Sequence, residues 1–185
     1  PPVRTASVSE YGFACSQVSC IPRTHRNAPQ VTTAMIRRSE IELRVSNMTP
    51  DVNADLKSKL HDLQRQPLPF HPMILVFSTG VVSAEDCVPM ARQPMPDVGM
   101  PFSGNIASVF GAAIRLNPSI HDGAVVFSRK SKYDGYQLSA WSMRIVSALI
   151  PDYVEPNVGS AHNSALALSL APGIDLCAIL SQSGT

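Results

Sequence analysis

Apolar residues recur along this chain in two rhythms that alternate. Val52, Leu56, Leu60 and Leu63 fall at helical spacing and predict one buried helix face. Thr49 is the expected cap of that helix, Pro50 takes its first position, and it should end before Pro67 and Pro69. Met73-Ile74-Leu75-Val76-Phe77 is an unbroken apolar run, the pattern of a strand covered on both faces, closed by Gly80. Ile106, Val109, Phe110, Ala113 and Ile114 return to helical spacing until Asn117-Pro118 stops them. Ala124–Ser128 then reads as a strand. Asp134-Gly135 follows as a hairpin turn in which glycine can take a positive φ, and the partner strand starts at Tyr136. A helix from Ala161 to Ala171, capped by Ser160 and stopped by Pro172-Gly173, leads into a last buried strand, Leu176–Leu180.

A further strand near Glu40–Val45 precedes these elements. The order predicts an α/β fold, a single domain with a central mixed β-sheet flanked by helices. Residues 1–48 read as an N-terminal arm or extension packing on the core, and 49–185 as the domain itself. Residues 82–101, with Pro89, Pro94, Pro96 and Pro101, form a long irregular connection of the kind that serves a site or an interface.

Composition narrows the partners. Of the 185 residues 44% are hydrophobic and 16% charged, which suits a packed core, and the formal net charge of +1 gives no reason to expect nucleic acid. No apolar run approaches the ~18 residues that span a bilayer, so no membrane partner is expected. Pro1-Pro2-Val3-Arg4 lacks the layout of a signal peptide, and Cys15, Cys20, Cys87 and Cys177 are few and irregularly spaced. A cytoplasmic protein with reduced thiols is the expectation. On that footing the Asn47-Met48-Thr49 sequon is a chance match, and Cys15, Cys20 and His25 are too few for a structural zinc site.

Two polar loops carry the candidate chemistry. In His121-Asp122-Gly123-Ala124, a carboxylate at a strand entrance can hold a divalent cation or accept a proton. His121 adds a nitrogen ligand for a Mn²⁺-like ion, and Gly123 and Ala124 let a flat base or ribose approach the backbone. In Gly159-Ser160-Ala161-His162-Asn163, a helix start presents backbone N–H groups and the positive dipole end to an anion. His162 and Asn163 in its first turn can donate to phosphate oxygens. Taken alone, the first loop is most simply an Asp-Gly turn and the second an ordinary capped helix. Trp141 reads as core, and Lys57–Arg65 as a solvated helix face.

Taken together, the loops carry a resemblance. Asn117-Pro118-Ser119-Ile120-His121-Asp122-Gly123-Ala124-Val125-Val126 resembles the signature of the diadenylate cyclase (DAC) domain, which in that family also follows an amphipathic helix. Gly159-Ser160-Ala161-His162-Asn163-Ser164-Ala165-Leu166 looks like the family's "GTRHRAAL" motif, and Asp175–Ser181 is similar to its following strand. The likeness covers roughly residues 50–185. It implies a nucleotide-binding α/β domain that condenses two ATP molecules into cyclic di-AMP, with two copies face to face as a homodimer and Mg²⁺ or Mn²⁺ as cofactor. On that reading Asp122 is the catalytic, metal-binding carboxylate, with His121 as second metal ligand. Gly123, Ala124, Gly159, Ser160, His162, Asn163 and Ser181 would surround the nucleotide.

The chain departs from the family at two points. Ala161 and Asn163 stand where the motif has arginines, and Gln182-Ser183 follow Ser181 in place of a Glu-Glu pair. Neutral side chains cannot replace bidentate, charge-assisted bonds to phosphate. Each lost contact at a phosphoryl transition state costs ~3 kcal/mol, about two orders of magnitude in rate. Arg129, Lys130 and Lys132 on a basic hairpin loop are the expected source of replacement charge. Three functions therefore stand side by side: a nucleotide-binding sensor with weakened or absent cyclase activity, an active cyclase, and an interaction domain with a vestigial pocket.

Overall fold

The computed structural model describes residues 41–45, 50–152 and 158–181, with side chains from Ala54 onward. The greater part of the predicted arm, the Cys15–Cys20–His25 group, the sequon and the Thr49 cap lie outside the described residues. Ile41–Val45 forms β1 and Pro50–Gln64 forms α1. Met73–Thr79 is β2, Cys87–Pro89 is β3, and Ile106–Leu116 is α2. A single 3-10 turn, Pro118–His121, leads into β4, Ala124–Arg129. Gln137–Ile145 is β5, Ser160–Leu168 is α3 and Ile174–Leu180 is β6.

The strands make one six-stranded sheet in the order β1-β6-β2-β4-β5-β3. Only β2 and β4 run parallel, and the other pairings are antiparallel, so the sheet is mixed as the element order requires. β2 lies between β6 and β4, and Met73, Leu75, Val76 and Phe77 have no exposed surface. Alternation sorts the side chains onto two faces. Met73, Leu75 and Phe77 of β2, with Val125 and Phe127 of β4, face Leu56, Leu60 and Leu63 of α1 and Ile106, Phe110 and Ala113 of α2. Val76, Ala124, Val126 and Cys177 face Ala165 and Leu168 of α3.

The larger face holds an aromatic cluster. Phe77 stacks on Phe127 at 5.3 Å, and Phe102 meets both edge-on at 4.9 and 5.0 Å. Trp141 is core, edge-on to Phe110 at 5.8 Å, with its indole N–H donating to the Asp97 carbonyl at 2.9 Å. The charged residues of the Lys57–Arg65 stretch form the solvated face expected of them, with the exposed pairs Asp55–Lys59 and Asp62–Arg65 along it.

Local chemistry departs from the sequence pattern in three places. α3 starts at Ser160, not Ala161; Gly159 is its cap residue, with no side-chain hydrogen bond, and the helix ends at Leu168. Ser160 has no side-chain bond to the first turn, so the helix start is held by burial of Ala165, Leu166 and Leu168. The hairpin turn does not use Gly135 at positive φ; instead Asp134 accepts from the backbone N–H and hydroxyl of Ser131, both at 2.8 Å. The third departure lies within the 82–101 connection, which is irregular as expected except for the three-residue strand β3. The connection runs beside β5 through Leu138 N–H to Met100 and Gly99 N–H to Leu138.

Candidate functional site

Both predicted loops lie at one end of the sheet. Ala124 opens β4 opposite Ile74 of β2, and Met73 pairs with Leu180 at the end of β6. α3 joins the start of β6 through a short turn and therefore runs back toward that same end. His121, Asp122, Gly123, the α3 start and Ser181 thus share the edge where parallel β2 and β4 begin.

The first loop is built from the 3-10 turn outward. Buried Asn117 caps it by accepting from Ser119 N–H at 3.0 Å, while its amide donates to the Pro94 carbonyl at 3.0 Å. That second bond ties the 82–101 connection to the loop. Gly123 follows at φ +83°, and a Cβ there would lie 2.6 Å from the Met143 carbonyl oxygen. The glycine is thus required by β5 pressing against it, and the space is taken by Met143 and Met90. Ala124 is fully buried, its methyl among Val126, Ala165 and Leu168, so it presents no surface to a ligand.

His121 and Asp122 are exposed side by side. The Pro118 carbonyl can only accept, so His121 Nδ1 donates to it at 2.6 Å, and Nε2 lies 3.3 Å from Asp122 Oδ1. The other carboxylate oxygen, Oδ2, is bonded by Arg92 at 2.9 Å. Arg92 comes from the irregular connection, and nothing in its local sequence marked it. Its Nε donates to the Ser142 hydroxyl at 3.0 Å, which in turn donates to the Asp122 carbonyl at 2.7 Å. Ser142 is fully buried at φ +50°, a left-handed conformation rare for a residue with a side chain. It sits where the β4–β5 register shifts, between the pairs at Ala124 and Val126.

At the second loop, Ser160 and Asn163 are exposed, Ala161 and His162 half-buried. Gly159 at the cap position of α3 has no side chain to bond the first turn, and the helix start carries the positive end of the dipole. Ser181 presents its backbone carbonyl to Gln64 Nε2 at 2.6 Å, which anchors α1 to this end of the sheet.

The expected replacement charges are elsewhere. Arg129 is not on the hairpin loop but within β4, buried, and its guanidinium is committed to Asp175 at 3.2 Å and Thr79 Oγ1 at 2.9 Å. Asp175 also accepts from Thr79 and Tyr136 at 2.7 and 2.8 Å, and Arg129 lies over the Tyr136 ring at 4.7 Å. Burial first, and then the Asp175 bond, push the Tyr136 phenol well above its ordinary value. This cluster, with Lys130 and Lys132 beyond it, occupies the opposite end of the sheet, where β2 and β4 finish. An open cleft of about 650 Å³ lies beside it, lined by Leu56, Lys59, Phe102, Lys132, Tyr133 and Tyr136. The cleft's Asp55 and Lys59 already pair with each other at 2.8 Å.

The first loop brings together two potential metal ligands, His121 and Asp122. Among the described residues no group of three or more His, Cys, Asp or Glu side chains could hold a metal ion. Asp122 Oδ2 is bonded by the Arg92 guanidinium, and Oδ1 lies against His121 Nε2. Cys87 and Cys177 are free and buried, and burial, helped by Asp86, pushes the Cys87 thiol up to about 11. No helix among the described residues is long and apolar enough to cross a membrane. No family model, curated protein or solved structure matches the chain.

Proposed function

We propose that this domain binds a nucleotide, ATP or a close relative, at the end of the sheet where β2 and β4 begin, and acts as a sensor or regulatory module with weakened or absent cyclase activity. The observation that carries the reading is the exposed His121–Asp122 pair, with Arg92 bonded to it, at the end of the sheet toward which α3 runs back from β6. Cation, carboxylate and helix dipole are the groups that hold a nucleotide's phosphates and ribose. Turnover is weakened because Asp122 is tied to a guanidinium and Ala161 and Asn163 bring no charge. A cytoplasmic setting belongs to the same proposal and fits the free thiols of Cys87 and Cys177. So does a second copy of the chain meeting the first across this end.

The test is incubation of the chain with each nucleoside triphosphate, with melting followed in parallel with mass spectrometry of products. Ligand at ~100 Kd adds about 2.7 kcal/mol, so a clear rise in Tm with ATP and no cyclic dinucleotide is the expected result. No rise with any nucleotide overturns the proposal in favour of an interaction domain. A cyclic dinucleotide that vanishes in Asp122→Asn establishes the cyclase instead.

A further inference from the structure

We propose that Arg92 stands in for the divalent cation at this site: its guanidinium is the positive group that meets the nucleotide's phosphates beside Asp122, and binding there needs no metal ion. The inference rests on the nucleotide reading above and adds how the charge is supplied.

Three features of Arg92 point to this role. It is held in place at both ends of its fork, by Nε on the Ser142 hydroxyl at 3.0 Å and by Nη2 on Asp122 Oδ2 at 2.9 Å. Its side chain is 20% exposed beside a 54% exposed aspartate, so the pair can be reached from solvent. Nη1 makes no hydrogen bond among the described residues, which leaves two N–H groups for an acceptor oxygen. A guanidinium offers this fork only when its plane is fixed, and Ser142 fixes it.

The support beneath Arg92 is costly to build. Ser142 holds φ +50° with no exposed surface, and its hydroxyl bridges the arginine to the Asp122 backbone. Strained conformations of this kind persist where the surroundings over-determine them, and they cluster at ligand sites. Met90 N–H donates to the Ser142 carbonyl at 3.1 Å, and the Met90 sulfur lies 3.7 Å from Nη2, so the same strand crossing sets both strain and guanidinium. A divalent ion on Asp122 Oδ2 would have to displace that guanidinium. The DAC-like metal role and the Arg92 contact are therefore mutually exclusive on this oxygen.

The experiment is calorimetric titration of the full chain with ATP, once in excess EDTA and once in excess Mg²⁺. The two affinities should agree within about threefold, whereas a Mg²⁺-dependent gain of about tenfold or more, ~1.4 kcal/mol, overturns the inference. In Arg92→Met, ATP affinity in EDTA should fall by about tenfold or more while adenosine affinity is kept. Unchanged ATP affinity in that variant also overturns the inference. The wild-type comparison stands even if the variant fails to fold. A separate arm follows Mn²⁺ by electron paramagnetic resonance with no nucleotide present. Saturable Mn²⁺ binding that is lost in Asp122→Asn overturns the role of Arg92 and leaves the nucleotide reading intact. Failure of ATP to bind under both conditions overturns the nucleotide reading, and this inference with it.

Discussion

Arg129–Asp175 and Arg92–Asp122 are the same chemical pair set at opposite ends of one sheet. Where β2 and β4 finish, both side chains are buried, and Asp175 has accepted from a threonine and a tyrosine as well. Where the same strands begin, Asp122 stands in solvent with a histidine beside it and a strained serine beneath. The first arrangement gathers three partners on one oxygen, Asp175 Oδ2, and serves the fold. The second keeps charge accessible at some conformational cost, which is how a recognition surface is built. Two residue types in contact therefore say little until their burial and remaining hydrogen bonds are counted.

Mutations should separate the two ends sharply. Arg129→Met leaves Asp175 buried without its counter-charge, and it should cost about 3–5 kcal/mol, read as a lower urea midpoint at unchanged slope. A loss below about 1 kcal/mol would mean the pair is no anchor. Gly123→Ala should come next, at roughly 1–3 kcal/mol from its backbone strain alone. The collision with the Met143 carbonyl adds to this. Gly80→Ala is the matched control, because Gly80 has a similar φ of +86° with open space around it. Equal losses at the two glycines would remove the steric account of the first loop.

Alkaline pH gives a third, smaller effect. The Cys87 thiol is raised from its ordinary 9.0 to about 11 in the folded chain, so between those values the unfolded state ionises while the native state holds its proton. Stability is therefore full below pH 9 and falls as pH climbs toward 11. Cys87→Ala should flatten that slope in thermal melts across the window, and an unchanged slope would assign it to other groups. The smallest change in stability belongs to the exposed pair. A double-mutant cycle on Arg92 and Asp122 should return about 0.2–1 kcal/mol, and a coupling as large as that expected at Arg129 would erase the contrast drawn between the ends.

The elements were legible wherever one physical period dominated. The apolar run at Met73–Phe77 could only be a central strand, and the spacing of Ile106, Phe110 and Ala113 fixed which face of α2 is buried. The position of the first loop was legible too, since Asn117 and Pro118 end the helix before it. What the sequence concealed was pairing across distance. Asp175 sits among apolar neighbours in β6, and its partners Thr79, Arg129 and Tyr136 come from three other segments. Arg92 lies in a proline-rich stretch without periodicity, and long-range bonds such as Met90–Ser142, Asn117–Pro94 and Trp141–Asp97 bring that stretch to the site. Ser142 carries a positive φ with no glycine to announce it.

The two outermost strands of the sheet also set how the molecule meets its neighbours in a crowded solution. β1 has five residues and β3 three, and β3 ends in Pro89, which has no N–H to offer. A three-residue border gives an incoming strand few backbone groups to pair with, so lateral growth of the sheet, the usual route to fibrillar aggregates, is disfavoured at the β3 margin. A second copy joining there by strand addition would gain little for the same reason.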